Sequence, residues 1–234
     1  MSWKSGSMKF AALYSGGKDS TYSIFLAEKA GHRVEVLLTF VPQSVESYLF
    51  HYPNIHLTPL QAKAMGKKHR IYPIAERPEE EVLDKALGEI RDEVEGLVVG
   101  VVASSYQKKR VNELAAKHGL TLLTPLWAAD PENLLLSLLR EKFTVMVVAV
   151  AAEGLGEEWL GKILDYESVE KLFELKKKYG VNPVGEGGEL ETFVLDCPLF
   201  HKKIVPVQHE KIWKGSHGYL SITKAILAEK TPNP

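Results

Sequence analysis

One cysteine, Cys197, is all this 234-residue chain has, so an intramolecular disulfide and a cysteine zinc cluster are excluded. A reducing cytosol is the default compartment for such a chain. No apolar run approaches the ~20 residues of a membrane span, and the first residues lack a signal-peptide core. The expectation is a soluble, cytoplasmic protein. No charge of one sign dominates, because 29 Lys and Arg face 30 Asp and Glu, so nothing in the balance argues for a nucleic-acid or membrane partner. A homo-oligomer is left open. There is no internal repeat and no low-complexity block. Ser2 to Ser7 are polar and without periodic pattern, and the fold is expected to begin near Met8.

What is present is organised around Ser15-Gly16-Gly17-Lys18-Asp19-Ser20. The apolar run Phe10 to Tyr14 precedes it. A helical pattern follows to Ala30, with Tyr22, Phe25 and Leu26 on one stripe and Gly31 beyond the end. A strand–glycine turn–helix of this kind points successive backbone N–H groups and the positive helix end into one concavity. Phosphate is its natural guest. The two glycines let the backbone approach closely, Lys18 adds a charge, Ser15 and Ser20 add hydroxyls, and Asp19 suits Mg²⁺ held beside phosphate oxygens. A helix that merely starts with good caps does not call for two glycines, a lysine and an aspartate together. The pattern is neither Gly-x-x-x-x-Gly-Lys-Ser/Thr nor Gly-x-Gly-x-x-Gly.

Taken in order, Val34 to Phe40 reads as a strand buried on both faces. The aperiodic segment Val41 to Leu57, with Tyr48, His51, Tyr52 and Asn54, is long enough to be functional or mobile. Thr58-Pro59-Leu60-Gln61 predicts a capping box opening a short helix that Gly66 closes. Arg70 to Ala75 is a third strand, which Pro73 confines to an edge or a strand end. A helix from about Pro78 places Leu83, Leu87, Ile90 and Val94 on one stripe, with Glu79 to Glu81 on its solvated first turn. Leu97 to Val102 is the fourth strand. Ser104 or Ser105 caps the next helix, His118 packs near its end, and Leu120 to Leu123 is the fifth strand. Alternating elements predict a doubly wound, five-stranded parallel sheet in the order 3-2-1-4-5, with a crevice above strands one and four. That order puts phosphates over the glycine loop and adenosine toward Thr39 and Phe40. It puts Gly100 where a side chain would block the nucleotide.

Beyond Trp127 the pattern changes. A helix starts at Asp130-Pro131, Thr144 to Val150 is strand-like, and a second helix carries Val169, Leu172, Phe173 and Tyr179 before Gly180. Shorter strand-like runs follow at Phe193 to Leu195, Ile204 to Val207 and Leu220 to Ile222. Two domains are expected, residues 1–127 around the phosphate loop and a smaller α+β domain over 128–234. Within the second, Glu186-Gly187-Gly188-Glu189-Leu190-Glu191-Thr192 brings three carboxylates together around two glycines. In a strand Glu189 and Glu191 would share a face, and paired carboxylates want a cation, an amine or a shared proton. Composition alone favours a solvated polar turn.

Residues 15 to 20 resemble the SGGxDS loop of the N-type ATP pyrophosphatases, which implies an adenine nucleotide alpha hydrolase-like, Rossmann-like domain and cleavage between the α- and β-phosphates. Glu186 to Thr192 resembles the EGGE(F/Y)ET signature of the diphthine–ammonia ligase family, and Trp159-Leu160-Gly161 and Ser105-Tyr106-Gln107 with Arg110 extend the match. The likeness runs from Tyr14 to about Leu199, with Leu190 standing where an aromatic is common. It implies an ATP- and Mg²⁺-dependent ligase that adenylates the diphthine carboxylate of translation elongation factor 2 and lets ammonia displace AMP. On that reading Lys18, Asp19 and Glu189 are the catalytic candidates. The nucleotide is held by Ser15, Gly16, Gly17, Lys18, Asp19, Ser20, Thr39, Phe40 and Gly100, and Asp19 holds the metal. Tyr106, Trp159, Glu186, Glu189, Glu191 and Thr192 are the substrate set: the carboxylates attract the trimethylammonium or ammonium, one of them serves as the base that delivers neutral NH₃, and Tyr106 or Trp159 offers a cation–π face.

Three rivals are weighed against this. Thiolation of tRNA by a related loop commonly passes sulfur between two cysteines, and only Cys197 is present. Amidation of a small-molecule acid would use the same adenylate chemistry. A nucleotide sensor on a similar sheet would not need Lys18 and Asp19. The basic runs Lys67 to Arg70, Lys108 to Arg110 and Lys176 to Lys178 read as solvated helix faces, with Lys108 to Arg110 the one expected to touch phosphate or a protein substrate.

Overall fold

The computed structural model of the chain describes residues 6–42, 53–74 and 78–230, so Tyr48, His51 and Tyr52 lie outside the described residues. Two compact units are present: Met1–Ser15, Asp19–Gln43 and Lys67–Ala128 in one, Gly16–Lys18, Ser44–Gly66 and Ala129–Pro234 in the other. The described parts of each are taken separately.

In the first unit, β1 (Lys9–Leu13), β2 (Arg33–Pro42), β3 (Lys68–Ile74), β4 (Gly96–Val98) and β5 (Thr121–Leu123) form one sheet in the order β3-β2-β1-β4-β5. All four pairings are parallel. The order and the edge position of β3 agree with the sequence expectation. Helix α1 starts at Lys18 and runs to Lys29, and Gly31 beyond it takes φ +91°, where a side chain would be strained. A later helix, α3 (Glu79–Ile90), lays Leu83, Leu87 and Ile90 on Ala11, Val36, Leu38 and Leu97, and α4 (Ser105–Lys117) adds Ala115. Ser104 caps α4 by accepting from Gln107 N at 3.3 Å. His118 sits at its end with Nε2 2.7 Å from an Asp84 oxygen.

Strand β4 is shorter than expected. After Val98, Val99 N still donates to Leu123 O at 3.0 Å, but the chain then leaves the ladder at Gly100. The reason lies in α1: a Cβ on Gly100 would stand 2.7 Å from Asp19 C and 2.8 Å from Ser20 N. What glycine makes room for there is the helix backbone itself, and no shift of a flexible side chain could relieve the clash.

The second unit is built on an antiparallel sheet, β7-β6-β9-β8, from β6 (Thr144–Val150), β7 (Leu190–Asp196), β8 (Lys202–Trp213) and β9 (Gly218–Glu229). Helix α5 (Pro131–Arg140), capped by Asp130 on Asn133 N at 2.9 Å, buries Leu134, Leu135 and Leu138. Helix α6 (Tyr166–Tyr179) opens on an Asp165–Ser168 capping box and ends at Gly180 with φ +75°. The β8–β9 hairpin pairs from Lys202↔Glu229 to Trp213↔Gly218, far longer than the runs read from sequence. Pro206 and the charged stretch His209 to Lys211 hid its length, because an exposed hairpin end carries no apolar alternation.

Helix α2 (Thr58–Met65) lies in the chain between β2 and β3 but packs within this unit. Just ahead of it, Asn54 adopts φ +74° and behaves as a strand partner for β9. Its Nδ2 donates to Leu220 O at 2.9 Å and its Oδ1 accepts from Ile222 N at 2.7 Å. The predicted capping box at Thr58 does not form. Thr58 Oγ1 donates to Ile55 O, and Gln61 is drawn elsewhere.

Candidate active site

Loop residues Gly16, Gly17 and Lys18 group with the second unit, and the contacts show why. Strand β7 is an edge strand whose outward groups the loop covers. Val194 N donates to Gly16 O at 3.0 Å, and Gln61 Nε2 donates both to Gly16 O (2.9 Å) and to Val194 O (2.8 Å). Lys18 N donates to Thr192 Oγ1 at 3.1 Å. Gly16 holds φ +84°, and a Cβ there would stand 2.4 Å from Gln61 Oε1. Glycine is thus required twice over, for conformation and for space. Thr192, the last residue of the acidic segment, therefore sits against the loop, which the sequence had separated by 174 residues.

Lys18 departs from the expected direction. It is 2% exposed, and its ammonium donates to Val184 O at 2.6 Å. A buried ammonium needs such a dipole. The carbonyl it takes opens the turn that carries Glu186 to Glu189, and Gly185 beside it has φ +74° with no room for a Cβ against Leu190 O. Ser15 and Ser20, in the first unit, face each other at 3.2 Å between hydroxyl oxygens.

The carboxylates do not line up as a strand would place them. Strand β7 begins at Leu190, so Glu189 lies before it and folds back, its Oε2 accepting from Gly187 N at 2.8 Å. Glu186 is exposed and Glu191 half-buried within β7. Thr39 is fully buried. Its Oγ1 donates to Tyr14 O (2.8 Å) and lies 2.9 Å from His69 Nε2, while Phe40 stacks on Tyr72 at 5.4 Å. Burial pushes the His69 imidazole below its ordinary pKa of 6.5. Of the two aromatic candidates, Tyr106 is 70% exposed in the first turn of α4, whereas Trp159 is buried in the core of the second unit. No open ring face at Trp159 is offered to a quaternary amine.

The basic runs are largely engaged. Lys67 pairs with Glu28, Arg70 with Glu93, Arg110 with Glu80 and Lys176 with Glu132, while Lys108 Nζ lies 3.8 Å over the Trp127 ring. Cys197 is buried, and burial pushes its thiol up to about 12, so it is no thiolate nucleophile at neutral pH. Among the described residues, no three His, Cys, Asp or Glu side chains cluster as a metal cage, and no helix is long and apolar enough to cross a membrane.

Family models place the chain. The diphthamide synthase N-terminal domain matches residues 8–122 and the diphthamide synthase C-terminal domain matches residues 130–228. The chain belongs to the diphthine–ammonia ligase family. The human diphthine–ammonia ligase is 38% identical over 92% of this chain and 89% of its own length. The mouse protein is 35% identical over 95% and 94%. The Schizosaccharomyces pombe protein is 32% identical over 95% of this chain but only 40% of itself, so the family includes longer members.

For a diphthine–ammonia ligase family member, the residue that the sequence reading missed is Gln61. It is fully buried and joins the glycine loop to β7. Its place in Thr-Pro-Leu-Gln disguised it as a helix cap, and its partner Val194 is 133 residues away.

Proposed function

We propose that this chain catalyses ATP-dependent amidation of the diphthine carboxylate on translation elongation factor 2, in the cytoplasm, through an acyl-adenylate. The observation that carries the reading is the direct bond from Lys18 N to Thr192 Oγ1, which ties a phosphate-type loop to the acidic segment. An enzyme that joins ATP to an acid must bring those two functions together.

A carboxylate is a poor acceptor for ammonia until one of its oxygens becomes a leaving group. The acid's oxygen attacks the α-phosphorus, the bond to the β-phosphate oxygen breaks, and pyrophosphate departs. Ammonia then adds to the acyl carbon, and the carbon–oxygen bond to AMP breaks. In this scheme Gly16 and Gly17 supply backbone donors, and Ser15 and Ser20 supply hydroxyls to the phosphates. Phe40 lines the adenosine side, in an ATP-binding domain of residues 1–127. Lys18, held on the 184–190 turn, transmits the turn's position to the phosphate loop. Glu186 and Glu189 attract the trimethylammonium, in a substrate domain over 128–234. The donor set suits Mg²⁺ that arrives with the nucleotide: one carboxylate, Asp19, at a helix start, and no all-protein cage among the described residues. When bound there, the ion neutralises charge gathering on the phosphates.

The experiment incubates the protein with Mg²⁺-ATP, ammonium and diphthine-bearing elongation factor. AMP, pyrophosphate and one amide per factor should appear together, and the Glu189→Gln variant should keep ATP affinity while amidation falls. Pyrophosphate release only with small acids would replace the factor as substrate. No AMP with any acceptor would make the chain a nucleotide sensor.

A further inference from the structure

Resting on the amidation reading above, we propose that a small pocket beside Glu191 is where ammonium is captured, and that His217 takes its proton. The register of the second sheet builds the pocket. On the central strand β6, Ala149 pairs with Glu191 of β7 on one side and with Tyr219 of β9 on the other. Residues directly opposite share a face, so the small methyl of Ala149 leaves a gap between the carboxylate and the phenol. The β8–β9 turn closes that gap from the far side with Lys214 and His217, and Gly188 of the acidic segment completes the wall. The turn is fixed by its own bonds, Lys214 N to His217 O at 2.8 Å and Ser216 N to Lys214 O at 2.9 Å.

The cavity measures about 30 Å³. That leaves room for about one or two water-sized molecules, and ammonium is of that size.

Charge completes the argument. The titratable and charged groups facing the gap are Glu191, Lys214, His217 and Tyr219. Glu191 attracts the cation, while the Lys214 ammonium nearby favours its neutral form, because a like charge lowers the pKa of an amine. His217 is the imidazole there, the side chain suited to accept a proton and return it to water. The step balances: NH₄⁺ gives H⁺ to the imidazole, the freed lone pair adds to the acyl carbon, AMP leaves with the carbon–oxygen bond, and the amide nitrogen's surplus proton goes to the AMP phosphate.

The test compares two nitrogen nucleophiles on the full chain with diphthine-bearing factor. Ammonium must lose a proton to react near pH 7.5, whereas hydroxylamine is already largely neutral. In His217→Ala, pyrophosphate release before any amine is added should stay within about twofold. Ammonium-dependent amidation should fall on the order of 100-fold, and hydroxylamine-dependent product by less than about fivefold. Ala149→Val, which fills the gap, should raise the KM for ammonium at least about tenfold with the same pyrophosphate release. Parallel loss of both nucleophiles in His217→Ala, or no loss of either, overturns the assignment of His217; an unchanged ammonium KM in Ala149→Val overturns the pocket. Wild-type protein that releases no pyrophosphate overturns the amidation reading instead, and the pocket's role falls with it.

Discussion

Replacing Gln61 by leucine removes the one side chain that holds both the glycine loop and the edge of β7. Two hydrogen bonds go, at 2.9 and 2.8 Å, each contributing about 1 kcal/mol net. Gly16 O keeps Val194 N, but the Val194 carbonyl loses its Gln61 donor inside the protein, which adds about 1–3 kcal/mol for a stranded polar group. The sum is roughly 3–5 kcal/mol. For a chain of this size that lowers the melting temperature by roughly 6–20 °C. Gln61→Glu should be at least as damaging, since a carboxylate has no donor for either carbonyl and adds charge to a fully buried site. Thermal unfolding followed by circular dichroism gives the first quantity, and titration with ATP gives the second, which should weaken as Gly16 loses its anchor. Gln61→Leu protein that melts within 1 °C of wild type and binds ATP equally well would refute the clamp.

Gly100→Ala should cost more than an ordinary glycine substitution, because the added methyl would meet the backbone of Asp19 and Ser20; loss of ATP binding by calorimetry, with the sheet retained, is the expected result. Cys197, its thiol pushed up to about 12, should resist iodoacetamide at pH 8 in the folded protein and react once urea unfolds it. His69 is held neutral by burial, so its folded pKa lies below 6.5. Its contribution to stability is then complete above pH 6.5 and is lost as pH falls from there through the folded value. His69→Gln, which can still bond Thr39, should flatten the fall in urea midpoint between pH 7 and pH 5.

Local chemistry was legible in the sequence wherever a residue acts on its own neighbours. Asp130 and Ser104 cap the helices they precede, Gly31, Gly66 and Gly180 take the left-handed conformation that ends a helix, and Pro73 lies in an edge strand. The unbroken apolar runs of β1 and β2 gave a parallel sheet, since only strands covered on both faces read that way. Residues whose partners lie far along the chain were misread. Gln61 has the spacing of a capping box, but two carbonyls, one 133 residues away, compete for its amide. Lys18 sits where a phosphate lysine is expected, yet Val184 O takes its ammonium. Glu189 and Glu191 alternate as strand residues do, but the strand begins one residue after Glu189, and Gly187 N turns that side chain back. For Gln61 and Lys18 the pattern was real and a distant backbone group outcompeted it, whereas for Glu189 the competitor is a backbone amide two residues away.

The pairing of Asn54 with Leu220 and Ile222 bears on how the chain is made. Some 168 residues must leave the ribosome after Asn54 before both its partners exist, about 8–34 s at ordinary rates of synthesis. Through that interval Ile55, Ala62 and Met65, buried in the finished protein, have no surface of their own unit to cover them. The nascent polypeptide thus carries a sticky early segment waiting on its own tail, a natural client for a holding chaperone.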